Sequence, residues 1–368
     1  MSQNSSCKNF KEPTLHGRYI NHSMISPLLM NLEKVYLVET LGYSVLGLPI
    51  HSVQVGNGPV KILMWSQMHG NESTTTKAVF DLLNFLQEEH ATSKEILQLC
   101  TLKILPMLNP DGAEAYTRVN ANGVDLNRDA KELSQPESNV LRKAYNDFKP
   151  NFCFNLHDQR TIFSAGNGSN PATVSFLAPA ADNERTVTKS RLMSMKIIAG
   201  MNQYLQTMIP NQVGRYDDSF NSNCVGDTFQ MLNTPTILFE AGHFQEDYER
   251  EHTRYYIFKA LWKAIQLITS NNVTSFTKEL YTSIPENRKY FVDVIVKNVH
   301  QMNASYSKDE RVGILFKEVL HENAIELKPT IEVSGTLSKY YAHKTYDCAI
   351  PNELSLLRKQ PKIVELLN

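Results

Sequence analysis

From residue 35 to about residue 270, short apolar runs rich in β-branched residues alternate with longer stretches whose apolar positions recur every three or four residues. That alternation predicts strands interleaved with helices that each pack one face on a sheet, an α/β layer fold. The predicted strands are residues 35–40, 50–55, 62–65, 102–106, 152–156, 174–177 and 236–240. The predicted helices are residues 74–89, 137–148, 184–208 and 247–268, with Pro136-Glu137 marking one helix start. After Asn271 the texture changes: residues 290–296, 313–320 and 328–333 read as strands, and helical periodicity returns only at 352–357. The polar stretch 271–289, containing Pro285, is the expected boundary. The chain is therefore expected to divide into an N-terminal extension (1–34), an α/β domain (35–272) and a small β-rich C-terminal domain (286–368). No internal repeat or low-complexity tract is visible, which excludes solenoid architectures.

At 368 residues, with 42% hydrophobic and 20% charged, the chain can bury a large core, and disorder is excluded. Lys plus Arg number 37 against 38 for Asp plus Glu, so no global field recruits nucleic acid or an anionic membrane. The five cysteines are scattered without a Cys-x-x-Cys pair, which points to a reducing compartment. Cys153 and Cys224 are read as small buried hydrophobes. The polar start, Met1 to Lys11, and the absence of an apolar run of about 18 residues give no secretory signal or membrane span, so a cytoplasmic protein is expected.

The chemistry is concentrated where predicted strands end. Met68-His69-Gly70-Asn71-Glu72 follows one strand and precedes a helix, so His69 and Glu72 stand in the crevice where α/β sheets bind ligands. A second strand ends in His157-Asp158. Two histidines and one carboxylate make the three-donor set that catalytic zinc uses while leaving a position for water. Glu240 closes the apolar strand 236–240; a carboxylate among such walls should have a raised pKa, as a general base near neutrality requires. Between them lie Asn109-Pro110-Asp111-Gly112 and Arg118-Val119-Asn120-Ala121-Asn122-Gly123-Val124-Asp125-Leu126-Asn127-Arg128-Asp129. Arg128 with Asn127 can grip a carboxylate, and Arg118 can polarise a carbonyl and hold an oxyanion. Singly, each of these is as compatible with a solvated loop or a satisfied strand end as with a site.

Taken in order, these runs resemble the zinc carboxypeptidase superfamily, which includes metallocarboxypeptidases, murein-peptide amidases and the desuccinylase and aspartoacylase branch. The resemblance covers about two-thirds of the chain. It implies an α/β/α sandwich, phosphorylase/hydrolase-like, around a mixed and mostly eight-stranded twisted sheet. By the same resemblance, His69, Glu72 and His157 are ligands of one zinc ion, Glu240 is the general base, Arg118 polarises the carbonyl, and Asn127 with Arg128 clamps a substrate carboxylate. Tyr216 is the candidate for the tyrosine that closes over substrate, and Asp227 or Asp218 for a residue favouring a cationic or amine-bearing side chain. Digestive members carry an arginine before the metal-binding glutamate, where this chain has Asn71, so their substrate contacts do not transfer. The expected activity is hydrolysis of a peptide or amide bond next to a carboxylate. The rivals are an N-acyl amino acid amidohydrolase and an inactive zinc-binding interaction module. Asp158 is read as a partner of its ligand neighbour, and the C-terminal domain as a scaffold, oligomer contact or lid.

Overall fold

The computed structural model describes residues 10–88, 91–270 and 272–368; Cys7, Glu89 and Asn271 lie outside the described residues. Its strands, in chain order, are β1 (Leu37–Tyr43), β2 (Pro49–Val55), β3 (Val60–Ser66), β4 (Cys100–Leu105), β5 (Phe152–Asp158), β6 (Ser164–Ala165), β7 (Val174–Leu177), β8 (Val213–Arg215), β9 (Thr236–Ala241), β10 (Asn287–Arg288), β11 (Phe291–Lys297), β12 (Arg311–His321), β13 (Ala324–Gly335) and β14 (Tyr341–Asp347). Eight of them form one sheet in the order β1-β2-β4-β3-β5-β9-β7-β8. Neighbours β4-β3-β5-β9 run parallel, while β1, β2 and β7 make antiparallel pairs, so the sheet is mixed.

The helices are α1 (His22–Leu32), α2 (Thr74–Gln87), α3 (Ala91–Leu99), α4 (Pro110–Ala115), α5 (Pro136–Phe148), α6 (Lys189–Leu205), α7 (Val225–Met231), α8 (Glu251–Thr269), α9 (Lys278–Thr282), α10 (Pro351–Arg358) and α11 (Pro361–Leu367). Alternation along a strand assigns successive residues to opposite faces, and β3 shows the result directly. Ile62 and Met64 join the core beneath α2, α6 and α8, whereas Leu63 and Trp65 join a second core with Leu141 and Phe148 of α5 and Phe229 of α7. The expected α/β/α sandwich is what these two cores describe. Because its central strands are covered on both sides, they read as nearly continuous apolar runs.

Differences from expectation have local causes. α8 begins at Glu251 rather than 247 because Arg250 sits in the left-handed region at φ 55°, where the right-handed helix cannot continue. α6 begins at Lys189, its N-terminus capped by Thr188 Oγ1 accepting from Arg191 N at 3.2 Å. β8 is only three residues long and β14 alternates with polar residues, so neither stands out as an apolar run. Residues 15–32, expected within an extension, are packed: Leu15, Ile20, Ile25, Leu29 and Leu32 all enter the principal core.

The C-terminal strands form a separate sheet, β13-β12-β11-β14, closed by α10 and α11 around Val294, Val296, Val312, Ile314, Tyr346, Leu357 and Leu367. Among the described residues no helix is long and apolar enough to cross a membrane.

Candidate metal centre and its cleft

Three adjacent parallel strands, β3, β5 and β9, end on the same side of the sheet and deliver the cluster, as the rule for ligand crevices in α/β sheets requires. β3 is followed by the tight segment Met68–Ser73, and α2 starts at Thr74. Two glycines make that turn possible: a Cβ on Gly70 would lie 1.8 Å from the backbone of Gly112, and a Cβ on Gly112 would strike Asn109 and Val119. His-Gly-Asn-Glu and Asn-Pro-Asp-Gly are thus one backbone-to-backbone contact. Asn109 supports it, its Oδ1 accepting from Gly112 N at 2.9 Å.

His69, Glu72 and His157 are buried, and one donor atom from each lies within 4.8 Å of the others. Glu72 Oε1 is 2.9 Å from His69 Nδ1, Glu72 Oε2 is 2.8 Å from His157 Nδ1, and the two Nδ1 atoms are 3.1 Å apart. His69 Nε2 meets Asp125 Oδ1 at 2.9 Å, which fixes the proton on Nε2 and turns the Nδ1 lone pair towards the cluster. His157 Nε2 is buried without a partner. With the His157 proton on Nε2, the two Nδ1 lone pairs and the Glu72 carboxylate face one another, a repulsion relieved when a cation sits among these donors. Two nitrogens and a carboxylate fit zinc.

Glu240 is the register partner of His157 across β5 and β9 and lines the same cleft, of about 410 Å³. Burial, together with the negative charges of Glu72 and Asp158, holds its carboxyl well above the usual range. Arg118, 45% exposed at the side chain, donates from Nε to Asp125 Oδ2 at 3.1 Å, and its Nη1 lies 3.2 Å from His69 Nδ1 and 3.4 Å from Glu72 Oε1.

Asn127, Arg128, Tyr216 and Asp227 line this cleft too. Asn127 Oδ1 accepts from Val225 N at 3.1 Å. Arg128 Nη1 donates to Asn127 O at 2.8 Å and lies 2.8 Å from Cys224 Sγ. Tyr216 packs edge-on to Phe163 at 5.5 Å, and burial with the charge of Glu240 keeps its phenol protonated. Asp227, 6% exposed, accepts from Asn221 N at 2.9 Å, and burial raises its carboxyl to about 6. Asp218 is drawn away from the cleft, pairing with Arg185 and Arg191.

Cys224 corrects an expectation: it is half-buried, lines the cleft and touches Arg128. Cys153 is fully buried. Asp158 uses its carboxylate elsewhere, accepting from Thr74 N at 2.7 Å and Thr75 N at 3.2 Å at the start of α2; only its backbone N–H reaches Glu72, at 3.2 Å. Sequence reasoning gave no role to Asp125, Arg160 or Lys289, which also bear on the cleft. Asp125 was legible only as part of a polar run, and Lys289 enters from the segment before the C-terminal sheet, far along the chain.

Residues 24–195 match the family model described as zinc carboxypeptidase. Among curated relatives, carboxypeptidase 2 of Trichophyton rubrum is 27% identical over 113 residues, 30% of this chain and 20% of that protein. Cytosolic carboxypeptidase 1 of Xenopus laevis is 32% identical over 137 residues, 33% of this chain and 11% of that protein. The matched stretches thus span a fifth or less of the length of these two relatives. In fold, the chain is similar to the crystal structure of a metallo-carboxypeptidase from Burkholderia cenocepacia, with a TM-score of 0.55 at 16% identity over 69% of this chain and 70% of that one. With its eight-stranded mixed sheet and its strand-end His-Glu-His cluster, the chain shares the fold of a metallo-carboxypeptidase, and nearly half of its length matches the zinc carboxypeptidase family model.

Proposed function

We propose that the chain hydrolyses a peptide or amide bond next to a substrate carboxylate, in the manner of a metallocarboxypeptidase or murein-peptide amidase. The observation that carries this reading is the convergence of three buried donors with Glu240 and Arg128 on one cleft. In it, His69, Glu72 and His157 hold one zinc ion, residues 35–272 form the catalytic domain, and residues 1–34 and 286–368 flank it. The unpaired state of the described cysteines, Cys100, Cys153, Cys224 and Cys348, supports a cytoplasmic setting.

When bound, such an ion supplies Lewis acidity, acidifying water from a pKa of 15.7 to about 7 and polarising a carbonyl. Glu240 accepts the proton of the attacking water and returns it to the departing amine, a task suited to a carboxylate whose pKa is raised. Arg118, tethered by Asp125, donates to the carbonyl oxygen as negative charge develops. Arg128 and Asn127 hold the substrate carboxylate, Tyr216 closes over the scissile bond, and Asp227 favours a cationic or amine-bearing side chain.

Asn71, in place of an arginine before Glu72, favours a second reading, hydrolysis of a small N-acyl amino acid. A panel of peptides with free and amidated C-termini, murein peptides and N-acyl amino acids separates the two. Turnover of free-carboxylate peptides alone supports the first, and turnover of N-acyl amino acids alone supports the second. Zinc binding without turnover of any of them favours an interaction module.

A further inference from the structure

We infer that Glu318, carried by the C-terminal sheet, is a positioning residue for the metal-binding segment around Glu72; this rests on the zinc hydrolase reading above. Glu318 lies in the outer half of β12, where its neighbours Lys317 and Val319 are exposed, yet its own side chain is only 5% exposed. It reaches across to the large sheet's body and ends on three groups from three segments. One carboxylate oxygen pairs with Arg18, in the segment before α1. The other lies 2.5 Å from Arg160 Nη1, in the loop after β5, and accepts the Tyr116 hydroxyl, at the end of α4.

Each of those segments then touches a residue flanking Glu72. Arg160 Nη1 donates to Asn71 O at 2.9 Å. The carbonyl of Arg18 accepts from Ser73 Oγ at 2.5 Å. The carbonyl of Thr117, next to Tyr116 and Arg118, accepts from Asn71 N at 3.2 Å. Asn71 and Ser73, on either side of Glu72, are therefore both held by segments that terminate on one carboxylate from the accessory sheet. The guanidinium of Arg160 is also stacked over the Tyr116 ring at 5.3 Å, so its orientation depends on Glu318 and on Tyr116, itself a partner of Glu318.

Glu318 is the carboxylate that buried Arg18 and partly buried Arg160 both pair with, and two neighbouring acids are already engaged: Asp158 accepts from Thr74 and Thr75, and Asp293 from Phe316. Without it, Arg18 and Arg160 repel each other and must seek water, and both hydrogen bonds to the Glu72 flanks loosen. Residues that orient a ligand typically change metal affinity about 10- to 100-fold when lost. The C-terminal sheet is in this respect part of the catalytic apparatus rather than a passive appendage.

The test compares Glu318→Gln and Glu318→Asp with Gln245→Ala, which removes a different contact to the C-terminal sheet, from the turn after β9, Gln245 Nε2 to His343 O at 3.0 Å. Two quantities are read on full-length protein: zinc affinity by chelator competition, and hydrogen exchange of the peptide covering residues 68–76 in metal-free protein. The expected result is a zinc affinity about 10-fold lower or more for Glu318→Gln, a smaller loss for Glu318→Asp, and faster exchange at residues 68–76 in both, with Gln245→Ala at wild-type values. Should Glu318→Gln fail to fold, Glu318→Asp, which keeps the charge on a shorter stem, still decides the matter. Wild-type affinity and exchange in the folded Glu318 variants, with only a lowered Tm, overturn the inference while leaving the hydrolase reading intact. A wild-type protein that binds no zinc overturns both.

Discussion

His157 and Glu240 are register partners on adjacent parallel strands, β5 and β9. One strand therefore ends in a donor of the metal cluster and the next in the acid that faces the same cleft, and the fixed strand spacing of a sheet, about 4.8 Å, holds them side by side. In the proposed reading a metal donor and a proton acceptor are thus held by adjacent strands of the central sheet, with no loop needed to bring them together.

That relationship separates binding from chemistry. Glu240→Gln preserves shape and leaves His69, Glu72 and His157 untouched, so it is expected to retain zinc while kcat falls by about 10²- to 10⁴-fold. Metal analysis and initial rates on the same preparation check it; loss of zinc, or full activity, tells against the assigned role.

Asp125 contacts His69 Nε2 and holds Arg118. Asp125→Asn keeps a side chain of the same shape but can present a donor to His69 Nε2 and removes the charge opposite Arg118. Zinc affinity should drop roughly 10- to 100-fold, read by competition with a chromophoric chelator. An unchanged affinity means the contact to His69 does not orient it.

Arg128 is exposed enough to meet a ligand yet anchored by Asn127 O. Arg128→Gln should raise KM for substrates with a free carboxylate by roughly 10- to 100-fold, the worth of a charged hydrogen bond, with kcat changing less. Rates on the matching amidated substrates should be nearly unaltered. Equal losses on both substrate types would assign Arg128 a structural role.

How much of this was legible in the sequence follows from what each residue does. His69, Glu72, His157 and Glu240 stand at the ends of apolar strands, where the change from continuous burial to a lone polar group is visible in one dimension. The two cores were legible for the same reason, since strands covered on both faces are apolar at nearly every position. Asp125, Arg160 and Glu318 were not, because their significance is a contact between separate segments, such as Tyr116 with Glu318, 202 residues apart, and a charge in a polar loop or an exposed strand carries no local mark of its partner. Gly70 and Gly112 fell between: each stands within a run singled out for its chemistry, and only their mutual approach explains why neither position tolerates a side chain.

Asp293, on β11, is 3% exposed and accepts from Phe316 N at 2.7 Å, with the Tyr248 hydroxyl as a second partner; burial raises its carboxyl to about 6. A folded-state pKa above the unfolded value means that its contribution to stability is fully present below the unfolded pKa, near 4, and is lost as pH rises through about 6. Wild-type protein should thus lose up to about 3 kcal/mol from this group between pH 4 and pH 7, and Asp293→Asn should lack that slope. Urea midpoints of both proteins across this range check it. Parallel pH profiles would show that Asp293 titrates alike in folded and unfolded chains.

The central claim, that one zinc ion held by His69, Glu72 and His157 serves amide hydrolysis, is tested most directly by titrating metal-free protein with zinc while following bound metal and hydrolysis of a free-carboxylate peptide together. Hydrolysis should start from zero, rise in proportion to bound zinc and stop rising at one equivalent, with Glu72→Ala showing neither tight binding nor turnover. Hydrolysis that persists in the metal-free protein, or a stoichiometric zinc complex with no hydrolysis of any substrate in the panel, would contradict it.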